Sequence, residues 1–335
     1  MKILFHTIAL NRCDLLKQTI DSIDTKHDWD LLLHFVSRDP EIAEYLASGK
    51  IATGARTEFI CDIGYNIGVS YCFNEALRQG YDDGDYDYVF LVNSDIRFHP
   101  GDSDGMISLA EKSQDKALVT VKGTHGKHGE GWENSHGIAA GILMPGTFMD
   151  VGYFDENIFP AYYEDCDYFY RVLLTRGTGA PGESSSQERV DNPLVACLLT
   201  GRTHHEGSSV ISSNNRMLKL NSYFYDRNKK YYICKWGGAN NKEKYRIPFS
   251  ETDSLKIEKN REQILWKGIR QITREKALFR LCQEQNLYAT GDTENVQFHE
   301  SIEVNCCYFT SGSLFPCIHP LSVLPSASRR RVLPV

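Results

Sequence analysis

The feature that most constrains this chain is a short apolar run that stops abruptly at three small polar residues. Residues 88–92, Tyr-Val-Phe-Leu-Val, are aromatic or aliphatic without alternation, which is the pattern of a strand buried on both faces of a sheet. Asn93, Ser94 and Asp95 follow directly. A central parallel strand that ends in a carboxylate places that group at the carboxyl edge of the sheet, where open α/β folds bind ligands. A plain polar turn is the competing interpretation of these three residues.

The chain around this run alternates apolar strands, polar loops and amphipathic helices. Strands are predicted at residues 2–8, 29–36, 59–62, 117–121, 137–144 and 194–199. Helices are predicted at residues 14–23, 40–48, 69–79 and 214–232. This order predicts an α/β fold with a mostly parallel sheet and helices on both of its faces. No G-x-G-x-x-G follows the first strand and no Lys-Ser/Thr follows residues 64–68, so dinucleotide-binding and P-loop folds are disfavoured.

Composition excludes several other classes of protein. The 335 residues carry a net charge of −7, and a mildly acidic chain is a poor candidate for nucleic-acid binding. The ten cysteines are scattered without a C-x-x-C pair, which favours reduced thiols, with the adjacent Cys306 and Cys307 left open as an oxidised pair. The apolar runs are too short for a signal peptide or a bilayer span. We therefore expect a soluble, cytoplasmic protein.

Two later regions differ in composition from the rest. Residues 175–192 are rich in Gly, Ser and Pro, which predicts an exposed insertion. The segment 251–287 carries a predicted basic amphipathic helix at residues 253–285. Such a helix can lie on an anionic membrane or bind a partner, but packing on the core is the favoured interpretation. Residues 288–335 lack periodicity, and we expect a poorly ordered tail there.

Five short segments occur in a fixed order along the chain. They are residues 7–12 (TIALNR), residues 66–70 (NIGVS) with Asn74, residues 93–95 (NSD), the block 151–171 (VGYFDENIFPAYYEDCDYFYR) and residues 204–209 (HHEGSS). Each segment alone is a weak signal. Together and in this order they resemble inverting glycosyltransferases of the GT-A fold, of the family-2 type, and within it the rhamnosyltransferase-like branch. The resemblance covers about residues 1–235.

The resemblance implies one GT-A domain over residues 1–250, with a nucleotide-binding half at 1–100 and an acceptor and catalytic half at 101–250. A UDP- or dTDP-sugar would contact residues of all the early segments. These are Thr7, Leu10, Asn11, Arg12, Asp39, Asn66, Gly68, Asn74, Asn93, Ser94 and Asp95. Two of them have equally good local interpretations, because Asp39 suits a turn before a proline and Asn66 suits a helix cap.

Sugar transfer from a nucleotide donor leaves a diphosphate whose negative charge must be stabilised by a divalent cation or by fixed donors. The resemblance places residues 93–95 at the family's D-x-D element and implies Asp95 and His205 as ligands of Mn²⁺ or Mg²⁺. Carboxylate oxygen suits both ions, and Mn²⁺ also accepts imidazole. Because His204 is next to His205 in the same segment, it is the competing imidazole ligand. Asn93 replaces the family's first aspartate, which removes one negative charge and leaves strict metal dependence open.

An inverting transfer also needs a base within hydrogen-bond reach of the acceptor hydroxyl. The resemblance implies Asp165 as that base, with Glu164 beside it. Trp132 and Asp167 are predicted to contact a glycan or glycoprotein acceptor. The competing interpretation of the acidic residues is a solvated helix start, which the helix dipole favours.

Two non-catalytic functions compete with this prediction. A nucleotide-sugar or carbohydrate-binding module that has lost catalysis would explain Asn93, but the retained pair of Glu164 and Asp165 argues against it. A scaffold that binds partners through the helix at 253–285 is the weaker alternative. Donor hydrolysis distinguishes an enzyme from both.

Overall fold

The structure is a computed structural model. It describes residues 1–49, 51, 58–62, 66–126, 130–132, 137–176, 194–207, 215–246, 248 and 330–331. The predicted insertion at 175–192, apart from its first two residues, lies outside the described residues. So do the predicted helix at 253–285 and, apart from residues 330–331, the predicted tail at 288–335. Those three predictions stay predictions.

Ten strands of the described chain form one sheet. They are β1 (Lys2–Ala9), β2 (Asp28–Phe35), β3 (Glu58–Asp62), β4 (Tyr88–Val92), β5 (Ile96–Arg97), β6 (Leu118–His125), β7 (Glu130–Trp132), β8 (Ala140–Leu143), β9 (Val195–His205) and β10 (Arg330–Arg331). The order is β10-β3-β2-β1-β4-β8-β6-β9-β5, with β7 on β6. The block from β10 to β4 is parallel, β8 runs antiparallel to its neighbours β4 and β6, and β9 is parallel to β6. The predicted α/β class with a mostly parallel sheet is confirmed.

Helices cover both faces of this sheet. They are α1 (Cys13–Asp21), α2 (Pro40–Ala47), α3 (Val69–Leu77), α4 (Asp102–Lys112), α5 (Pro145–Val151), α6 (Glu164–Arg176) and α7 (Asn215–Trp236). One face carries Phe5 and Phe90 and packs on α1, α2 and α4. The other carries Leu4 and Leu91 and packs on α3, α5 and α6. No helix among the described residues is both long and apolar enough to cross a bilayer.

Strand β4 lies at the centre, as its sequence predicts. All five of its residues are buried, and they alternate between the two hydrophobic clusters of the sheet faces. The register pairs Val92 with Thr7 and Ala9 with Phe35. The carboxyl ends of β1, β2 and β4 therefore meet at one edge, which we call the donor edge.

Helix α7 joins this edge to α6. Its Phe224 belongs to a hydrophobic cluster with Val36, which follows β2, and with Phe159, and Leu10 packs against that cluster. Its last residue, Trp236, is fully buried and packs edge-on against Tyr170 of α6. The helix runs four residues beyond its predicted end, because Lys235 and Trp236 in its last turn are fully buried.

Candidate active site

The donor edge brings an acidic and an imidazole side chain together. Strand β5 pairs antiparallel with β9, with Ile96 opposite His205, so Asp95 lies beside that histidine. Asp95 Oδ1 is 3.3 Å from His205 Nε2, and both residues are buried. The N–H of Glu206 donates to the carbonyl of Asp95 at 3.0 Å. Two segments 110 residues apart are thus fixed together by backbone pairing and not by loop contacts alone.

This pair suits a hard divalent cation. A carboxylate oxygen and an imidazole nitrogen are both accepted by Mn²⁺, and Mg²⁺ sites often combine one or two carboxylates with phosphate oxygens and water. Within the part of the chain that the structure describes, no group of three or more His, Cys, Asp or Glu side chains could hold a metal ion. A cation held by Asp95 and His205 would therefore need further ligands from the nucleotide or from water.

His204, the competing ligand, has other partners. Alternation along β9 turns it away from His205. Its Nδ1 lies 2.8 Å from Thr124 Oγ1, and its Nε2 lies 3.3 Å from Glu206 Oε1. The geometry at the donor edge thus favours His205 over His204 beside Asp95.

His125 is a residue at this edge that the sequence analysis missed. The parallel pairing of β6 with β9 sets it opposite His205, and the two ring centroids are 5.0 Å apart. Gly207 lies so close that an added Cβ would be 2.1 Å from the His125 ring. A side chain at position 207 would have to displace that ring, and the φ of 68° also favours glycine there. The sequence around His125 is a glycine- and histidine-rich stretch without periodicity, so only the strand pairing identifies it.

Arg12 places a positive charge in front of this pair. It occupies the left-handed region, with φ of 58°, and its guanidinium donates twice to Asp14, at 2.9 and 2.7 Å. The pKa of Arg12 is raised mainly by that hydrogen bond and, against the effect of partial burial, by the charges of Glu206 and Asp95. The charge of Arg12 is consequently held near the carboxylates of the donor edge.

The other predicted donor contacts at the edge differ in access. Asn93 is half-buried, and its N–H donates to the carbonyl of Ala139 at 2.8 Å. Ser94 is buried. Leu10 and Asn11 are half-buried, and Leu10 packs against the cluster that contains Phe159.

Asp39 and Asn66 both accept hydrogen bonds from backbone N–H groups close by in sequence. Asp39 Oδ1 accepts the N–H groups of Glu41 and Ile42 at 3.0 and 3.1 Å, which starts α2. Asn66 Oδ1 accepts the N–H of Gly68 at 2.9 Å. Asp39 is thus the N-cap of α2, which is more than the turn residue predicted locally, and its second oxygen takes no part in the cap. Asn66 makes a local turn instead of the predicted helix cap, because the cap residue of α3 is Gly68 and no side chain caps that helix.

The structure contradicts two of the predicted donor contacts, those of Thr7 and Gly68. Thr7 is only 2% exposed and lies on the sheet face that packs against α1, so a nucleotide cannot reach its hydroxyl. Gly68 is covered by the ring of Phe159, which would lie 2.9 Å from an added Cβ. Its φ of 90° also favours glycine. Both residues shape the edge without facing it.

The structure also contradicts the predicted donor contact of Asn74. It is fully buried, and its amide bridges α3 to the loop before α6. Nδ2 donates to the carbonyl of Phe154 at 3.0 Å and to Glu156 Oε1 at 2.7 Å, and Oδ1 accepts the N–H of Phe154 at 2.7 Å. The amide is therefore fully used inside the protein, and it supports the loop instead of binding donor.

Glu164 and Asp165 begin α6 as a half-buried pair. Burial, and then the charge of Asp165, raise the pKa of Glu164 to about 8. Burial also raises the pKa of Asp165, although the N–H of Cys166 donates to its Oδ1 at 2.7 Å. Because Glu164 is raised partly by its neighbour's charge, Asp165 ionises first and Glu164 keeps the proton near neutral pH.

Asp167 does not lie where an acceptor could contact it, which corrects that prediction. Its carboxylate is fully buried and accepts from three groups. Arg171 Nε lies at 2.9 Å, Lys235 Nζ at 2.6 Å and Trp236 Nε1 at 2.9 Å. Two residues along a helix point in different directions, so Asp167 faces α7 while Asp165 does not share its contacts.

Lys235 links this cluster to the block before α6. Its ammonium group is also 2.6 Å from Asp155 Oδ2, which accepts the hydroxyl of Tyr231 at 2.8 Å. Burial alone would raise the pKa of Asp155, but the charge and hydrogen bond of Lys235 lower it below its ordinary value. We call Asp155, Asp167, Arg171 and Lys235 the ionic cluster.

Trp132 ends β7, where it pairs with Gly123 of β6. Nothing is described of its side chain, so its contact with an acceptor stays a prediction.

Comparison with known proteins adds little at the level of sequence. No protein-family model matches the chain, and no curated protein does. Among solved structures, S. aureus TarS matches with a TM-score of 0.44 at 12% identity, over 70% of this chain and 42% of that one. S. aureus TarS 1-349 in complex with UDP-GlcNAc matches with a TM-score of 0.43 at 14% identity, over 80% and 79%. GalNAc-T7 with UDP, GalNAc and Mn²⁺ matches with a TM-score of 0.42 at 10% identity, over 87% and 57%. Scores of this size define neither a family nor a ligand for the chain.

Proposed function

We propose that this protein is an inverting glycosyltransferase of the GT-A type, related to family 2 and its rhamnosyltransferase-like branch. It moves a sugar from a UDP- or dTDP-sugar to a hydroxyl of a glycan or glycoprotein. The observation that carries the proposal is the meeting of Arg12, Asp95 and His205 at one sheet edge. A cation beside a carboxylate–imidazole pair at the carboxyl ends of parallel strands suits a nucleotide diphosphate.

The donor edge acts on the leaving diphosphate. When bound by Asp95 and His205, Mn²⁺ or Mg²⁺ supplies positive charge to the diphosphate oxygens. Arg12 adds a fixed positive charge, since its guanidinium is held by Asp14 at 2.7 and 2.9 Å. The second oxygen of Asp39 can accept an N–H from uracil or thymine while the first oxygen caps α2.

The pair at the start of α6 acts on the acceptor. Asp165 takes the proton of the acceptor hydroxyl while that oxygen bonds to the anomeric carbon and the bond from this carbon to the diphosphate oxygen breaks. Attack from the side opposite the leaving group inverts the configuration. Glu164, whose pKa is raised to about 8, holds its proton at neutral pH and leaves Asp165 as the charged base.

Thermal unfolding of the full chain tests the donor-binding half of the proposal. We expect one of UDP-glucose, UDP-galactose, UDP-N-acetylglucosamine and dTDP-rhamnose to raise Tm in the presence of Mn²⁺, since a ligand of the native state stabilises it. Asp95→Asn should abolish the rise, whereas the matched control Asp85→Asn, on an exposed turn, should keep it. No rise with any of the four nucleotide sugars would contradict the proposal.

Release of UDP from the bound donor tests the enzymatic half. Slow hydrolysis by the parent chain, lost in Asp95→Asn, is the expected result. Binding without any release would instead identify a binding module that has lost catalysis, the alternative raised by Asn93.

A further inference from the structure

Two tyrosines immediately before Glu164 have a strained backbone. Tyr162 and Tyr163 have φ values of 71° and 76°, in the left-handed region that bulky residues rarely occupy. Strain of this kind persists only where the surroundings enforce it. A glycine at either position would avoid that strain, so the side chains themselves need an explanation.

Asn228 of α7 enforces this conformation. It is fully buried, and its Nδ2 donates to the carbonyls of Ala161 and Tyr162 at 2.9 and 3.2 Å. Its Oδ1 accepts the N–H of Phe159 at 3.3 Å. One amide thus holds both ends of the turn. The strained backbone of the two tyrosines is therefore explained by a specific interaction with α7.

The turn brings three tyrosine rings together at the surface. The ring of Tyr225, on α7, lies 5.7 Å from that of Tyr162 and 5.3 Å from that of Tyr163, between centroids. Tyr225 is 40% exposed, and the other two are half-exposed. We call these three residues the tyrosine cluster. Neither Tyr162 nor Tyr225 belongs to a hydrophobic cluster of the described core, so packing alone does not account for their placement.

We propose that the tyrosine cluster binds the sugar ring of the acceptor. This inference rests on the proposed function, in which the acceptor hydroxyl must lie within hydrogen-bond reach of Asp165. The backbone N–H of Tyr162 donates to the Glu164 carboxyl group, so the tyrosine cluster borders the pair formed by Glu164 and Asp165. One face of a pyranose presents C–H groups and its rim presents hydroxyls, and tyrosine likewise combines an apolar ring with a polar tip.

The charges around the cluster select a neutral acceptor. Asp165, the charged member of the pair, follows it closely, and Asp226 is next to Tyr225 and acts electrostatically on Tyr163. Carboxylates accept hydrogen bonds from sugar hydroxyls but repel phosphate and uronate groups. The same charges disfavour the diphosphate of the donor. The cluster therefore fits a neutral hexose or N-acetylhexosamine of a glycan, and not the nucleotide.

Saturation-transfer NMR on the full chain, loaded with UDP and Mg²⁺, tests this site. For this measurement diamagnetic Mg²⁺ replaces Mn²⁺, which would broaden the ligand signals. The probes are cellobiose, lactose, chitobiose and mannobiose, with cellobiouronic acid as the anionic comparison. We expect at least one neutral disaccharide to bind and the acid not to bind. Tyr225→Ala should weaken that binding roughly fivefold to tenfold, the scale of losing one aromatic contact. Tyr225→Phe, which keeps the ring, should stay close to the parent. Leu199→Ala, which removes an exposed apolar side chain from β9, is the matched control and should not change it.

Several outcomes would overturn the inference. They are binding of none of the four neutral probes, equal binding by Tyr225→Ala and the parent, or weakening in Leu199→Ala as large as in Tyr225→Ala. Weaker UDP binding in Tyr225→Ala, with disaccharide binding unchanged, would assign the cluster to the nucleotide base. UDP binding is measured in the same samples, so a parent that binds UDP but no disaccharide refutes this inference and leaves the proposed function standing. A parent that binds a disaccharide but no nucleotide refutes the proposed function instead.

Discussion

The donor edge and the α6–α7 region hold their charged side chains in different ways. At the donor edge, Asp95 and His205 are neighbours because β5 pairs with β9, and backbone hydrogen bonds fix their positions. In the α6–α7 region, Asp167 is fixed by side chains that come from α7, about 70 residues later in the chain. The first arrangement sets the charges at the carboxyl ends of the parallel strands, whereas the second uses its charges in contacts with each other. Asp167, a buried carboxylate whose hydrogen bonds are all made within the protein, is therefore structural. Asp165, a carboxyl group with a raised pKa, is the better catalytic candidate.

The largest expected effect comes from breaking the ionic cluster. Lys235→Met leaves Asp155 and Asp167 buried without their shared cation, and removing one partner of a buried ion pair costs about 3–5 kcal/mol. We expect urea unfolding to show a loss of that size, while Lys230→Met, at an exposed position of the same helix, changes little. A loss below about 1 kcal/mol would show that the ionic cluster is not what stabilises the α6–α7 region.

Removing the proposed base should have the opposite effect: it should lower activity without lowering stability. Asp165→Asn lies outside the ionic cluster, so its unfolding free energy should be unchanged or higher, because a half-buried charge is removed. Sugar transfer should fall by about 10²-fold or more, the usual scale for losing general-base help. The comparison is made by single-turnover transfer at saturating donor, with donor affinity measured alongside. Transfer at the parent rate would mean that Glu164, or another group, is the base.

A buried histidine pair beneath the donor edge predicts a smaller, pH-dependent effect. His6 Nε2 and His34 Nδ1 are 2.9 Å apart in the interior. Burial lowers the pKa of His34 to about 3, and burial and the neighbouring ring also lower the pKa of His6. In the unfolded chain both take up protons below about pH 6.5. The contribution of this pair to stability should therefore fall as the pH drops from 6.5 toward 3, by up to about 1.4 kcal/mol per pH unit for each histidine.

Urea unfolding of matched variants between pH 6.5 and 5 isolates this effect. The comparison of variants is needed because Glu164 of α6, whose pKa is raised to about 8 by burial and by Asp165, holds its proton more tightly in the folded chain and changes stability in the opposite direction in this window. Asp155 has a lowered pKa, so its contribution is present above the ordinary aspartate pKa of about 3.9 and is lost only below it. His34→Gln should make the pH dependence in this window shallower, while His99→Gln, at an exposed position, should leave it as in the parent. An unchanged slope in His34→Gln would mean that the pair does not titrate on unfolding.

The sequence by itself determined the α/β class, the central strand and the polar residues that end it. An apolar run without alternation can be satisfied only between two layers, and the residue after a parallel strand necessarily lies at the sheet edge. Local patterns also indicated that Asp39 and Asn66 bond to nearby backbone, because such bonds involve neighbours in sequence, although Asp39 caps α2 and Asn66 caps no helix.

Only the tertiary structure decided which acidic residues of the α6 block are available for chemistry. Asp165 and Asp167 have the same side chain two positions apart, and their roles separate because Lys235 and Trp236 fold back onto one of them. The same holds for Asn74, whose amide is used by a loop 80 residues later, and for His125, which meets His205 through strand pairing. Burial and partner choice depend on contacts between distant segments, and no local pattern in the sequence encodes them.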